Sequence, residues 1–184
     1  MRYFTSDQHF FDPDILTYCD RPYSGVEDMN EDMVRRFVAR VSDASEVYVL
    51  GDIFGSRQPA SPLDSCKEIM ERLGIMERPF HLVLGNHDLM TEDEYLEVGF
   101  ASVKRLDFIT IGGKRVMLTH DPCMVQPAGT LAICGHIHTL FSENWQPARE
   151  TFTINVGVEM RNYAPVSEAE ILELMERSEY GENR

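Results

Sequence analysis

Leu82-Val83-Leu84-Gly85-Asn86-His87-Asp88 sets an apolar run directly against a glycine, an amide, an imidazole and a carboxylate. A buried strand that ends in such side chains reads as one edge of an active site, because open α/β sheets gather ligands outside the carboxyl ends of their strands. Working outward, the pattern recurs. Arg2 to Ser6 predicts a strand ending at Asp7-Gln8-His9, and Glu46 to Leu50 a strand ending at Gly51-Asp52. Arg115 to Leu118 leads to Thr119-His120, and Leu131 to Cys134 to Gly135-His136-Ile137-His138. Of the six histidines, only His81 falls elsewhere, inside the strand Phe80 to Leu84, which assigns it to the core or to a supporting position.

The segments between these strands carry helix signals. Ser24-Gly25-Val26-Glu27, Thr91-Glu92-Asp93-Glu94 and Ser167-Glu168-Ala169-Glu170 have the spacing of capping boxes. The first opens a helix with Val26, Met29, Met33, Val34, Phe37, Val38 and Val41 at helical spacing, whose methionines read as core filler. Ser61 caps a second helix with Pro62 at its first position and Gly74 closing it. The last helix holds Ile171, Leu172, Leu174 and Met175, and Tyr180 to Arg184 is expected to fray. Phe10 to Pro22 reads as irregular. Gly112-Gly113 marks a hairpin between Phe108–Ile111 and Arg115–Leu118, and Thr151 to Val156 reads as one more strand. Strand and helix alternate early and strands dominate later. The expected fold is mixed α/β, a two-sheet β-sandwich flanked by helices, in one domain spanning residues 1–184.

Composition narrows the function. The 184 residues are 43% hydrophobic, enough for a sizeable core, and no apolar run of membrane-spanning length occurs. Without an apolar leader after Met1, the expected location is cytoplasmic, and Cys19, Cys66, Cys123 and Cys134 are expected as reduced thiols. A net charge of −14 argues against an extended nucleic-acid track or a membrane surface, since both need clustered Lys and Arg. The strand ends offer carboxylates, an amide oxygen and imidazoles but no thiolate, a set suited to Mn²⁺, Fe, Zn²⁺, Co²⁺ or Ni²⁺. Seven such groups exceed one four-coordinate ion and suit two ions sharing a carboxylate.

The order D-x-H, G-D, G-N-H-D, H, G-H-x-H resembles the calcineurin-like metallophosphoesterase superfamily. Phe4-Thr5-Ser6-Asp7, Arg21-Pro22-Tyr23, Met29-Asn30, Asn155-Val156-Gly157-Val158 and Asn162-Tyr163-x-Pro165 further resemble a small bacterial and phage branch of it. The resemblance implies that Asp7, His9 and His138 hold one divalent metal, that Asn86, His120 and His136 hold a second, and that Asp52 bridges them. Manganese is the first expectation. His87 would protonate the leaving alkoxide or hold the phosphoryl oxygens, and Asp88 would orient His87. A hydroxide between the metals would attack phosphorus, making the chain a hydrolase of phosphoric esters, with a phosphodiester of a small molecule or nucleotide favoured as substrate. Phe11 and Asp12 depart from the glycine and histidine that relatives often carry there, giving a bulkier and more acidic wall.

Other residues weigh less. Arg21, Arg57, Arg149 and Arg161 are candidates to grip phosphate, Arg21 foremost as part of a branch motif. Asn30 and Asn155 are expected to support the metal loops. Cys134 reads as core, and Cys123 as a packed or loop thiol. Two other functions fit the same residues. A catalytically silent metal-binding scaffold is disfavoured because every ligand and His87 are present, and a nuclease acting on nucleic-acid ends is disfavoured for long duplexes by the acidic charge.

Overall fold

The computed structural model describes residues 1–42, 44–125, 129–146 and 151–181. Arg149 and residues 182–184 therefore lie outside the described residues. Five strands form one sheet: β1 (Arg2–Thr5), β2 (Glu46–Val49), β3 (Phe80–Val83), β4 (Ser102–Lys104) and β10 (Val166–Ser167). Their order is β10-β1-β2-β3-β4, with β1 to β4 parallel and β10 antiparallel at the edge. The second sheet contains β5 (Asp107–Ile111), β6 (Lys114–Leu118), β7 (Leu131–Cys134), β8 (Glu143–Gln146) and β9 (Thr151–Asn155). In the order β5-β6-β7-β9-β8, its three central strands are parallel and its two edges antiparallel.

Alternation along the strands builds the layers. In β1 and β2, Phe4 and Tyr48 join Val116, Ile133, Phe152 and Ile154 between the sheets. Their neighbours Tyr3, Val47 and Val49 face the other way, into a second cluster with Phe37, Ile69 and Tyr95. These last three belong to α2 (Val26–Arg40), α3 (Pro62–Arg72) and α4 (Glu92–Val98), which cover that face. The last helix, α5 (Glu168–Gly181), sends Ile171 and Met175 into the inter-sheet layer. The mixed α/β sandwich expected from the sequence is the fold observed. None of the described helices is long and apolar enough to cross a membrane.

The local signals fared unevenly. Thr91 and Glu94 form the reciprocal capping box, and Ser167 and Glu170 form another. The Ser24 box does not form as spaced. The helix starts one residue later, with Gly25 at its N-cap, and Ser24 donates from both N and Oγ to Asp28 instead of Glu27. Ser61 occupies the N-cap position of α3 without a side-chain bond, so Pro62 alone sets that start. Gly112 and Gly113 make the hairpin, both at positive φ, which a two-residue turn of this hand requires. Phe10 to Pro22 is not wholly irregular: α1 (Asp14–Tyr18) forms there, with the Asp12 carboxylate accepting from the Asp14 N–H. Strand β8 was not expected, because Glu143-Asn144-Trp145-Gln146 has a polar edge-strand composition.

Phe80 tests the packing of the helical layer. It is fully buried, with Phe37 stacked at 5.8 Å and Phe100 edge-on at 6.4 Å. Phe80→Ala should lower the unfolding free energy by about 3–5 kcal/mol in urea denaturation, the usual cost of a large core cavity.

Candidate metal centre

All six parallel inner strands point their carboxyl ends to one side, and the two sheets are joined there. Asp7 N bonds to the Gly51 carbonyl and His9 N to that of Asp52, while Val158 N, beyond β9, reaches across to the Ser6 carbonyl. The chain turns sharply after β1, β2 and β7. Asp7, His9, Asp52, His136 and His138 all have positive φ, between 45° and 73°. Non-glycine residues seldom adopt that region, and its concentration here marks a place where the backbone is held against its preference. Gly85 is required by proximity: a Cβ would lie 2.1 Å from Asp52 Oδ1.

The strand ends bring the expected ligands together in two groups. Asp7, His9 and His138 form one and Asp52, His120 and His136 the other, the donor atoms within each lying within 4.8 Å of one another. Asn86 joins the second, its Oδ1 being 3.0 Å from His120 Nε2. Asp52 Oδ2 lies between the groups, 3.3 Å from His120 Nε2 and 3.8 Å from His9 Nε2. Each carboxylate is also held by the main chain: Asp52 Oδ1 accepts from His87 N, and the Asp7 oxygens accept from His136 N in the opposite sheet.

The chemistry of these donors fits bound cations. Both ring nitrogens of His9 are buried without a hydrogen-bond partner. His120 Nδ1 must donate to the Leu50 carbonyl at 2.7 Å, so a neutral ring turns the lone pair of Nε2 toward Asn86 Oδ1, Asp52 Oδ2 and His136 Nδ1. A cation placed among these atoms would satisfy their lone pairs together. Burial works against the charged His120, yet Asp52 and Asp7 raise it to about 9. His138 likewise rises to about 10 against its burial, through hydrogen bonds to Cys19 and Glu159. Burial lifts Asp7 to about 6 and drops His9 to about 3.

Beside the donors opens a cleft of about 290 Å³, lined by His9, Asp52, Asn86, His87, His136 and His138 and walled by Asp12, Asp14, Ile15, Tyr18 and Ser56. The His87 ring faces that of His9 at 5.6 Å, outside the donor groups. Gln58 Nε2 holds the His87 carbonyl at 3.0 Å.

Two expectations about this site need correction. Asp88 does not reach the His87 ring. Its carboxylate accepts from the N–H groups of Gly85, Asp52 and Ile53 at 2.8–3.1 Å, locking the loops after β2 and β3 together. Arg21 does not face the cleft. Its side chain is fully buried and bonds to the carbonyls of Asp7 and Gln8 and to Glu159. The other branch motif residues assemble around it: Tyr163 lies under the guanidinium at 5.9 Å and Tyr23 stands edge-on to Tyr163 at 5.0 Å.

The remaining candidates sort plainly. Asn30 accepts from Phe11 N, and Asn155 donates to the His138 carbonyl, so both brace ligand loops. Arg57 pairs with Asp14 at the surface, and Arg161 bonds to Asn155 O and Glu143. His81 stacks on Tyr48 and bonds to Ser102, within the sandwich. Cys134 is buried and Cys123 exposed on a short 3-10 turn. Sequence reasoning missed Glu159, which accepts from His138 Nδ1 at 3.0 Å, and Tyr18, whose exposed ring stands 6.2 Å from that of His138. A carboxylate immediately after Asn155-Val156-Gly157-Val158 was the available signal for Glu159.

The family model for the calcineurin-like phosphoesterase superfamily domain matches residues 4–174. The chain belongs to that superfamily. The calcineurin-like family implies divalent metal ions, in keeping with the two donor groups. Its relatives include the uncharacterized protein MJ1445 of Methanocaldococcus jannaschii, 32% identical over 183 residues that cover 95% of this chain and 91% of that one. Among solved structures, the protein of unknown function AQ665 from Aquifex aeolicus is similar with a TM-score of 0.68 and 24% identity, over 95% of this chain and 98% of that one. Yfce, a phosphoesterase from E. coli, is similar with a TM-score of 0.51 and 19% identity, over 84% of this chain and 77% of its own.

Two outcomes follow for this phosphoesterase fold. Asp88→Ala strands three loop N–H groups and should cost about 3 kcal/mol in urea unfolding of the metal-free protein. A carboxylate serving His87 alone would leave that value near the parent's. Because His120 and His138 hold protons in the metal-free cluster, a cation must displace them. Calorimetric Mn²⁺ affinity should therefore fall as pH is lowered from about 8 to about 6, with proton release on binding.

Proposed function

We propose that the chain is a dinuclear metal-dependent phosphoesterase that hydrolyses a phosphodiester of a small molecule or nucleotide. The observation that carries this reading is the pair of donor groups meeting at Asp52 beside an open cleft. Asp7, His9 and His138 would hold one cation, Asn86, His120 and His136 the other, and Asp52 would serve both. Cations so held polarise phosphoryl oxygens and lower the pKa of water, Mn²⁺ being a suitable ion.

The protein's own groups supply the rest. His87 lines the cleft off the donor groups, where its imidazole can hold a phosphoryl oxygen or deliver a proton to the departing alkoxide. Gln58 on its carbonyl and Asp52 on its N–H fix the loop that presents it. Asp88 acts at one remove, by fastening that loop to the Asp52 loop. Asp14 on the cleft wall is paired with Arg57, whereas the Asp12 carboxylate there repels a second negative charge. That supports a diester monoanion over a monoester dianion.

Metal-free protein reconstituted with Mn²⁺, Co²⁺, Ni²⁺ or Zn²⁺ should hydrolyse bis-p-nitrophenyl phosphate. His87→Ala should retain metal but lose about 10²–10⁴-fold in kcat, the range for a positioned acid, and Asp52→Ala should lose both metal and turnover. Activity confined to p-nitrophenyl phosphate would reject the diester preference. A fully metallated protein inert toward every phosphoester would reject the enzyme.

A further inference from the structure

Behind the first donor group lies a buried ion pair that coordination alone does not call for. The Glu159 side chain is 3% exposed and that of Arg21 fully buried. Glu159 Oε1 lies 3.0 Å from His138 Nδ1, and Arg21 donates to the same oxygen from Nε at 3.0 Å and Nη2 at 2.5 Å. Arg21 also reaches the carbonyl of Asp7 at 2.7 Å and that of Gln8 at 2.8 Å. One guanidinium thus grips the main chain that carries Asp7 and His9 and the carboxylate behind His138. All three donors of the first group are steadied from one point. The second group is backed differently, since His120 Nδ1 meets a neutral carbonyl, that of Leu50.

We infer that Glu159, locked by Arg21, is the positioning residue of the first metal position. A neutral imidazole carries its proton on one nitrogen, and the hydrogen bond at that nitrogen decides which one remains free to bind. With a carboxylate at Nδ1, Nε2 of His138 is the nitrogen left free for a cation held with Asp7 and His9. The negative charge behind the ring also strengthens Nε2 as a donor, as a carboxylate behind a metal-bound imidazole does. Arg21 keeps Glu159 ionised and immobile, so its orientation survives whether or not the position is filled. Cys19, His138 and Glu159 also lie within 4.8 Å of one another, but a cation among them would face the Arg21 guanidinium, so that grouping is not a competing site.

This inference rests on the metal-dependent reading, and the test separates the two. Mn²⁺ is titrated calorimetrically into metal-free protein in two backgrounds. Asn86→Ala leaves the first position intact, and Asp7→Asn leaves the second. Glu159→Gln should weaken Mn²⁺ binding by about 10–100-fold in the Asn86→Ala background, the usual effect of losing such a partner, and leave affinity in the Asp7→Asn background unchanged. Because Glu159→Gln strands a buried guanidinium, the double variant Arg21→Met/Glu159→Gln, which removes both charges together, is measured alongside and should show the same selective loss. Equal weakening in both backgrounds would mean a purely structural pair and overturn the inference. Unchanged affinity in both would overturn it too, with the metal reading left standing. Failure of the unsubstituted protein to bind Mn²⁺ at all would overturn the metal reading and this inference with it.

Discussion

The left-handed turns after β1, β2 and β7 are the constraint on which the site depends. Five of the seven candidate ligands have positive φ, a conformation that costs a non-glycine residue on the order of 1 kcal/mol or more. It persists because each turn is tied to another turn rather than to its own strand. Ser6 Oγ holds the Leu50 carbonyl, Asp88 collects N–H groups from two loops, and Asn155 grips the His138 carbonyl. These ties join neighbouring loops within each sheet, and the bonds from His136 N to the Asp7 carboxylate and from Val158 N to the Ser6 carbonyl join the two sheets, so no single loop can relax alone. Gly51 and Gly85 allow the close approach: a Cβ on Gly51 would lie 2.6 Å from both the Gly85 Cα and His120 Nδ1.

Electrostatics supplies the second constraint. Asp7, Asp52, Asp88 and Glu159 crowd one end of a protein whose formal charge is already −14. Each buried carboxylate is answered by N–H donors or by Arg21, which outweighs part of its desolvation. Glu159 shows the balance most clearly. Burial works to raise its carboxyl, but the His138 hydrogen bond and the Arg21 charge bring it down to about 2. Asp7 has no arginine on its carboxylate, and burial outweighs the pull of His120 and His138 and lifts it to about 6. The asymmetry marks where positive charge is missing from the protein itself.

Much of this was legible in the sequence, for a physical reason. A strand buried on both faces must be apolar, so the first polar residues after it announce the sheet edge, and Gly51-Asp52, Asn86-His87-Asp88 and Gly135-His136 stand out against Val and Leu runs. The capping boxes at Thr91 and Ser167 were equally readable, being contained within four residues. What stayed hidden depends on contacts between distant segments. Arg21 and Glu159 are 138 residues apart, and nothing in either neighbourhood tells a phosphate grip from a buried tie. Asp88 beside His87 suggested a partner for the imidazole, yet the turn aims its carboxylate back at the main chain of another loop. Helix α1 escaped because its apolar anchor is Ile15, too little for a periodic signal.

The placement of donors across the two sheets links the site to the fold. Asp7 and His9 follow a strand of one sheet and His138 a strand of the other. The second group repeats the division, with Asp52 and Asn86 from the first sheet and His120 and His136 from the second. A cation in either group would therefore bond the sheets together at the end where their strands turn most sharply. Binding to the folded chain alone raises stability by mass action, and here it would act on the loops that carry the strain. Opposed carboxylates and left-handed turns, unfavourable by themselves, would become the means by which this end of the sandwich holds a positive charge.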